Sequence, residues 1–187
     1  MANQDAAFGL KAIGKVGQNR DNQGLSEYGI AASSSAIYQN DPIMMAATGK
    51  IVVGTAAAVL LGSLNGVFYT DATNQKPTWA NHLAASNTAT DIVGFVSDDP
   101  YERFEIQSDA ALTAAEVGMN ADIVYAAGAT PNYISKVELD HSDLKTATAQ
   151  LRVIGISKDP QNDEAGAVDV NAVVIINEHF LKGTVGI

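Results

Sequence analysis

The chain contains no cysteine in its 187 residues, which excludes a disulfide framework, thiolate zinc sites and a cysteine nucleophile. It is also poor in charge: Asp, Glu, Lys and Arg make up 17% of it, against about 25% in an average soluble domain. Positive charge is the scarcer sign, with 11 Lys and Arg against 21 Asp and Glu and a net charge of −10. Phosphates repel such a chain, and no Lys/Arg cluster with interleaved aromatics offsets the repulsion, so nucleic acid is not an expected partner. Its opening, MANQDAAFGL, lacks the basic region and apolar run of a signal peptide, and the product is expected to stay in the cytoplasm where it is made.

Catalytic signatures are missing as well. No serine sits in a G-x-S-x-G elbow, no G-x-x-x-x-G-K-[ST] or G-x-G-x-x-G phosphate loop is present, and His82, His141 and His179 lack the i, i+4 spacing of a helical metal pair. No catalytic residue, cofactor or metal site is therefore assigned, and the chain is not expected to be an enzyme. The stretch Ser97–Glu105, with Asp98, Asp99, Glu102 and Glu105, could hold paired carboxylates or a hard cation, but its spacing matches no calcium loop and a polar turn between strands is the preferred reading. A metal-dependent hydrolase built on Asp98, Asp99 and His141 is the corresponding enzyme alternative.

One run is free of charge, Ile51 to Thr70, about the length of a membrane span. Gly54, Gly62 and Gly66 punctuate it and Ser63 and Asn65 lie inside it, so it reads as strands rather than a membrane helix, and no membrane partner is expected. Val59–Leu61 and Val67–Tyr69 are expected as two strands around a Gly62–Gly66 connection.

What is present is a core-forming chain, 47% hydrophobic, of short apolar runs separated by turn residues. Phe104 and Ile106 alternate with Arg103, Glu105 and Gln107, and Leu151 and Val153 alternate with Gln150, Arg152 and Ile154, the period of half-buried sheet. Further strands are expected at 28–32, 36–38, 43–46, 51–53, 92–96, 123–126, 133–139 and 168–176. Thr113-Ala114-Ala115-Glu116 has the spacing of a capping box, but Gly118 and Asn120 stop it after a turn. The fold class is mainly β, a compact β-barrel or β-sandwich with at most one short helix.

Residues 1–24 carry Gly9, Gly14, Gly17 and Gly24 without sustained periodicity and are read as an extended N-terminal arm before a β-rich body over 25–187. Lys11, Lys15 and Arg20 against Asp5 and Asp21 give the arm a net charge of +1, which leaves eight basic and nineteen acidic groups, net −11, in the body. Phe8, Leu10, Lys11, Lys15 and Arg20 are the candidate docking residues of the arm. Trp79, the only tryptophan, is expected to anchor a hairpin in the core, with an interface as the alternative.

Several segments carry a resemblance: Met1–Leu10, Ile37–Pro42, Gly66–Asp71, Ala89–Val93, Asp98–Pro100 with Phe104–Gln107, Gly118–Asp122 and Ile176–His179. In this order they resemble the capsid decoration, or cement, proteins of tailed bacteriophages. The resemblance implies a tulip-like β domain on the outer surface of the virion head that clamps neighbouring major capsid protein subunits. It also implies self-association, as a homo-trimer in preference to a dimer, and no catalytic residues. Other virion subunits (head fibre, tail tube, minor coat protein) are the alternatives within that class. A carbohydrate-binding β module using Trp79 is the alternative outside it.

Overall fold

The computed structural model describes residues 3–17, 24–163 and 167–183. Thirteen strands appear in that range: β1 (Lys11–Lys15), β2 (Ser26–Gly29), β3 (Pro42–Met45), β4 (Ile51–Val53), β5 (Gly62–Thr70), β6 (Pro77–Ala80), β7 (Val93–Ser97), β8 (Glu102–Gln107), β9 (Asn120–Ala121), β10 (Ile123–Val124), β11 (Glu138–Leu139), β12 (Leu151–Ile156) and β13 (Asn171–Ile176). Helix among the described residues is limited to three single 3-10 turns, Ala114–Glu116, His141–Asp143 and Phe180–Lys182. The first is closed by the capping-box residues, with Thr113 N–H donating to Glu116 Oε2 at 2.6 Å. No described helix is long and apolar enough to cross a membrane.

Two antiparallel sheets dominate. One has the order β1-β8-β13-β12-β9, and the other runs β2-β7-β5-β3-β4 with β6 on the remaining length of β5; β10 and β11 form a separate pair. The arrangement is sandwich-like, and the sheets do not close: β1 and β9 end the first and β2 and β4 the second, with only the isolated bridges Asn120↔Lys145 and Ile30↔Ile51 at those ends among the described residues. The barrel half of the fold expectation is thereby replaced by the sandwich half.

Each sheet builds its own apolar cluster. Phe104, Ile106, Leu151, Val153, Val174 and Ile176 centre the first, where alternation along β13, most of β8 and the first half of β12 sends every second side chain inward. Ile30, Ile43, Ile51, Leu61, Leu64 and Val96 centre the second. The adjacent Leu60 and Leu61 divide between the two clusters, so a single extended dipeptide ties both cores together. Full burial of such side chains contributes about 1.5–3 kcal/mol each.

The strands expected at 36–38 and 59–61 are single bridges at Ile37 and Leu60, and the one expected at 133–139 is reduced to Glu138–Leu139 with a bridge at Ile134, because only those residues meet a partner segment. Two further expectations change. Gly62–Gly66 is not a connection between strands but part of the nine-residue β5. Its glycine serves close approach rather than a turn, because a Cβ on Gly62 would run into the Ser97 carbonyl of β7. The expected arm is also corrected, because residues 3–15 are built into the body rather than set apart from it. Leu10 is fully buried in the first cluster, and β1 pairs with β8 from Lys11↔Glu105 to Lys15↔Glu102. Gly9 has φ of +71°, a left-handed conformation that glycine adopts without strain, and it turns the chain into this pairing. The glycines that suggested a loose arm are thus the joints of an inserted strand. Arg20 and residues 18–23, also assigned to the arm, lie outside the described residues.

Candidate interaction surfaces

The N-terminal segment is held to both sheets by specific hydrogen bonds. Leu10 N–H donates to the Asn40 carbonyl at 2.9 Å, Asn40 Nδ2 to the Phe8 carbonyl at 3.0 Å and Ser63 Oγ to the Leu10 carbonyl at 2.5 Å. Upstream, Gln107 accepts from Ala6 N–H and donates to the Gln4 carbonyl, both at 2.9 Å. Of the expected docking residues, Leu10 is therefore spent on the core, Phe8 is half-buried, and the lysines remain near the surface. Lys11 pairs with Glu105 at 3.5 Å and Lys15 with Asp99 at 2.6 Å. The Lys15 hydrogen bond holds the Asp99 carboxyl below the ordinary carboxylate range.

Besides these ion pairs, this part of the surface carries exposed apolar side chains. The β1–β8 register slips between Ala12 and Gly14, making Ile13 the extra residue of a bulge, and it is 40% exposed. Val16 is also exposed and its N–H reaches the Tyr101 carbonyl at 2.9 Å. Tyr101 is exposed in turn and carries the Lys182 ammonium 4.9 Å above its ring, next to the exposed Leu181. Ile13, Val16, Tyr101 and Leu181 thus lie along one edge with Lys11, Lys15 and Lys182, in a chain whose net charge is −10. No described strand pairs with the outer side of β1.

The second surface is centred on Trp79, which is not a core anchor: at 67% exposed it is the most exposed large apolar residue among those described. Register explains its neighbours. Phe68 of β5 stands opposite Trp79 of β6, and Gly66 stands opposite Phe95 of β7, so no side chain at 66 separates Trp79 from Phe95. The indole stacks on Phe95 with centroids 4.7 Å apart and 25° between planes, and it meets Phe68 at 5.3 Å and 53°. Asn65, at the register slip between Leu64 and Gly66, is a bulged and exposed residue. Gln39, Asn65, Asn81 and Leu25 complete a groove of about 440 Å³ over this platform. Beside it His82 stacks between Tyr133, at 3.8 Å and 3°, and Tyr38, at 6.3 Å and 11°. Burial pushes the His82 imidazole below its ordinary range, so the ring is uncharged at neutral pH.

The carboxylates singled out as ligand candidates have structural partners. Asp98 accepts from Ser26 Oγ at 2.9 Å and from the Tyr28 hydroxyl at 2.5 Å, tying β2 to the end of β7. Asp99 is taken by Lys15 and caps the turn through Tyr101 N–H at 2.8 Å. Glu105 accepts from Ser157 Oγ at 2.5 Å. His141 pairs instead with Glu116 at 2.9 Å, so Asp98, Asp99 and His141 have separate sets of partners. Among the described residues no group of three or more His, Asp or Glu is placed to hold a metal ion.

Sequence reasoning missed two buried ionisable groups. Asp41 is fully buried, accepts from Tyr38 N–H at 2.8 Å, and burial pushes its carboxyl up to about 6. His179 is 2% exposed and accepts from Leu181 N–H through Nδ1 at 3.0 Å; burial first, and Lys182 second, push its imidazole down to about 4. The pair Asp41-Pro42 signals a turn in the sequence, but nothing local indicates that the carboxylate faces inward. Comparison of the chain with protein-family models, curated proteins and solved structures yields no match.

Proposed function

We propose that this protein is an accessory capsid protein of a tailed bacteriophage, a decoration or cement subunit that binds the outer surface of the head and braces neighbouring major capsid protein subunits. Its work is structural rather than catalytic. The observation that carries the reading is the lysine-ringed apolar edge formed by Ile13, Val16, Tyr101 and Leu181 on an otherwise acidic body. Ordered segments with resemblance to decoration proteins add to it.

The edge suits a specific contact with another protein surface. Apolar side chains at its centre supply desolvation energy, and the Lys11–Glu105 and Lys15–Asp99 pairs around them make a polar rim of both signs that fits charged groups on the partner. The bulge at Ile13 interrupts the ladder, which blocks indiscriminate strand addition along β1 and leaves recognition to side chains. The acidic remainder of the body faces away from packaged DNA, whose phosphates would repel it. Self-association, with a trimer preferred, would present several such edges at once, and weak contacts would add by avidity.

The test is co-sedimentation with expanded heads lacking the protein. Ile13→Asp with Val16→Asp alters two exposed positions, so the purified variant should melt as the wild type does but no longer sediment with heads. Undiminished sedimentation would remove the edge from the reading. In purified virions the copy number should approach that of the coat protein; a few copies per particle would argue against a cement role.

A further inference from the structure

We propose that the Trp79 platform is a binding site for a neutral oligosaccharide with equatorial hydroxyls, separate from the lysine-ringed edge. The inference starts from an energetic oddity. A solitary indole that is 67% exposed leaves apolar surface in water that a core position would have removed, yet its geometry is held from two sides. Phe95 supports it by stacking and Phe68 fixes it by a tilted contact. Such a ring is a preorganised plane that loses little rotamer freedom when something settles on it.

The surroundings specify what would settle. Leu25, Gln39, Asn65, Gly66, Trp79, Ala80, Asn81 and Phe95 line the groove, and none carries a charge in a molecule with a net charge of −10. The lining itself offers a phosphate or a metal ion no counter-charge, and the one carboxylate in register with the platform is Glu27 of β2, opposite Phe95 at its rim. The polar groups present are amides. Asn81 Nδ2 donates to the Asn132 carbonyl at 3.0 Å and to Gln39 Oε1 at 3.4 Å, which fixes both side chains and leaves Gln39 Nε2 without a partner among the described residues. Asn65 is brought to the groove by a bulge in β5, the kind of irregularity that re-aims one side chain out of a regular ladder, and its own amide makes no hydrogen bond within the described chain.

An amide presents a donor and an acceptor side by side, so it can bridge neighbouring hydroxyls. A pyranose with equatorial hydroxyls offers a flat C–H face to an aromatic plane and a rim of donors and acceptors to such amides. A groove of about 440 Å³ lies in the range of roughly 300–1,000 Å³ typical of small-ligand sites. A second copy of the chain or a coat subunit would also cover the indole, but neither accounts for the open Asn65 amide and the Gln39 Nε2 donor beside an aromatic plane.

The single tryptophan makes the site directly observable, because all indole fluorescence comes from it. The full-length protein is titrated with cellotetraose and fully N-acetylated chitotetraose, both uncharged, β-linked and equatorially substituted, while emission is followed. A saturable change in intensity or wavelength is expected, confirmed by calorimetry. Trp79→Ala should weaken the affinity measured by calorimetry about tenfold or more, and Trp79→Phe by less, since it keeps a smaller ring. Asn65→Ala should weaken it with the indole intact. No response to these saccharides and no bound member on a broad neutral glycan array would overturn the proposal. So would an emission shift that follows protein concentration or the addition of heads rather than sugar, since that assigns the patch to a protein interface. Binding of Trp79→Ala to heads should equal that of the wild type, which keeps this test distinct from that of the capsid role.

Discussion

At the scale of single residues, Asp41 and His179 push the pH dependence of stability in opposite directions. Asp41 is raised to about 6 in the fold, so it binds its proton more tightly there than in the unfolded chain. Its contribution is full below about pH 4, falls away as pH rises through 6, and amounts to a penalty on the order of 2–3 kcal/mol at neutral pH. His179, depressed to about 4, is the reverse: the fold loses stability as pH drops from about 6.5 to 4. Across that window the two slopes offset one another. Asp41→Asn should therefore be more stable than the wild type at pH 8, lose that advantage by pH 4, and show a steeper acid decline in urea denaturation; equal curves for both proteins would contradict the burial argument. Leu10→Ala should cost about 2–5 kcal/mol in the same measurement, as expected for a cavity in a closed core, whereas a residue of a free arm would cost almost nothing.

At the scale of elements, legibility followed how local the determining physics was. The alternation in β8 and β12 was visible because burial on one face of a sheet imposes period two whatever the strand's neighbours. The capping box at Thr113–Glu116 was visible because both partners lie within one turn. Glycine misled twice. In Gly62 it reflects the approach of β7, and in Gly9 it reflects the entry of β1 beside β8, and both causes lie far away in sequence. Trp79 misled for a related reason: the partners that make it a surface platform, Phe68 and Phe95, come from two other strands and meet it only in register. The inserted β1 has a direct test. Deleting residues 1–17 should abolish a cooperative thermal transition, because it uncovers the β8 edge and empties the Leu10 site; a body that still melts cooperatively near the wild-type temperature would restore the arm reading.

At the scale of the whole molecule, the first sheet places β13, formed by Asn171–Ile176, between β8 and β12. The last of the described strands is thus an interior one, and both of its neighbours stay unpaired along that side until it arrives. A chain emerging from the ribosome cannot complete this sheet in passing, and the sheet must wait for Asn171–Ile176. Premature termination before Asn171 would release a product with two bare strand edges, β8 and β12, the type of surface that joins copies into aggregates. A chain lacking β13 would therefore mark itself, because the strand that keeps β8 and β12 from their own copies is the one it lacks.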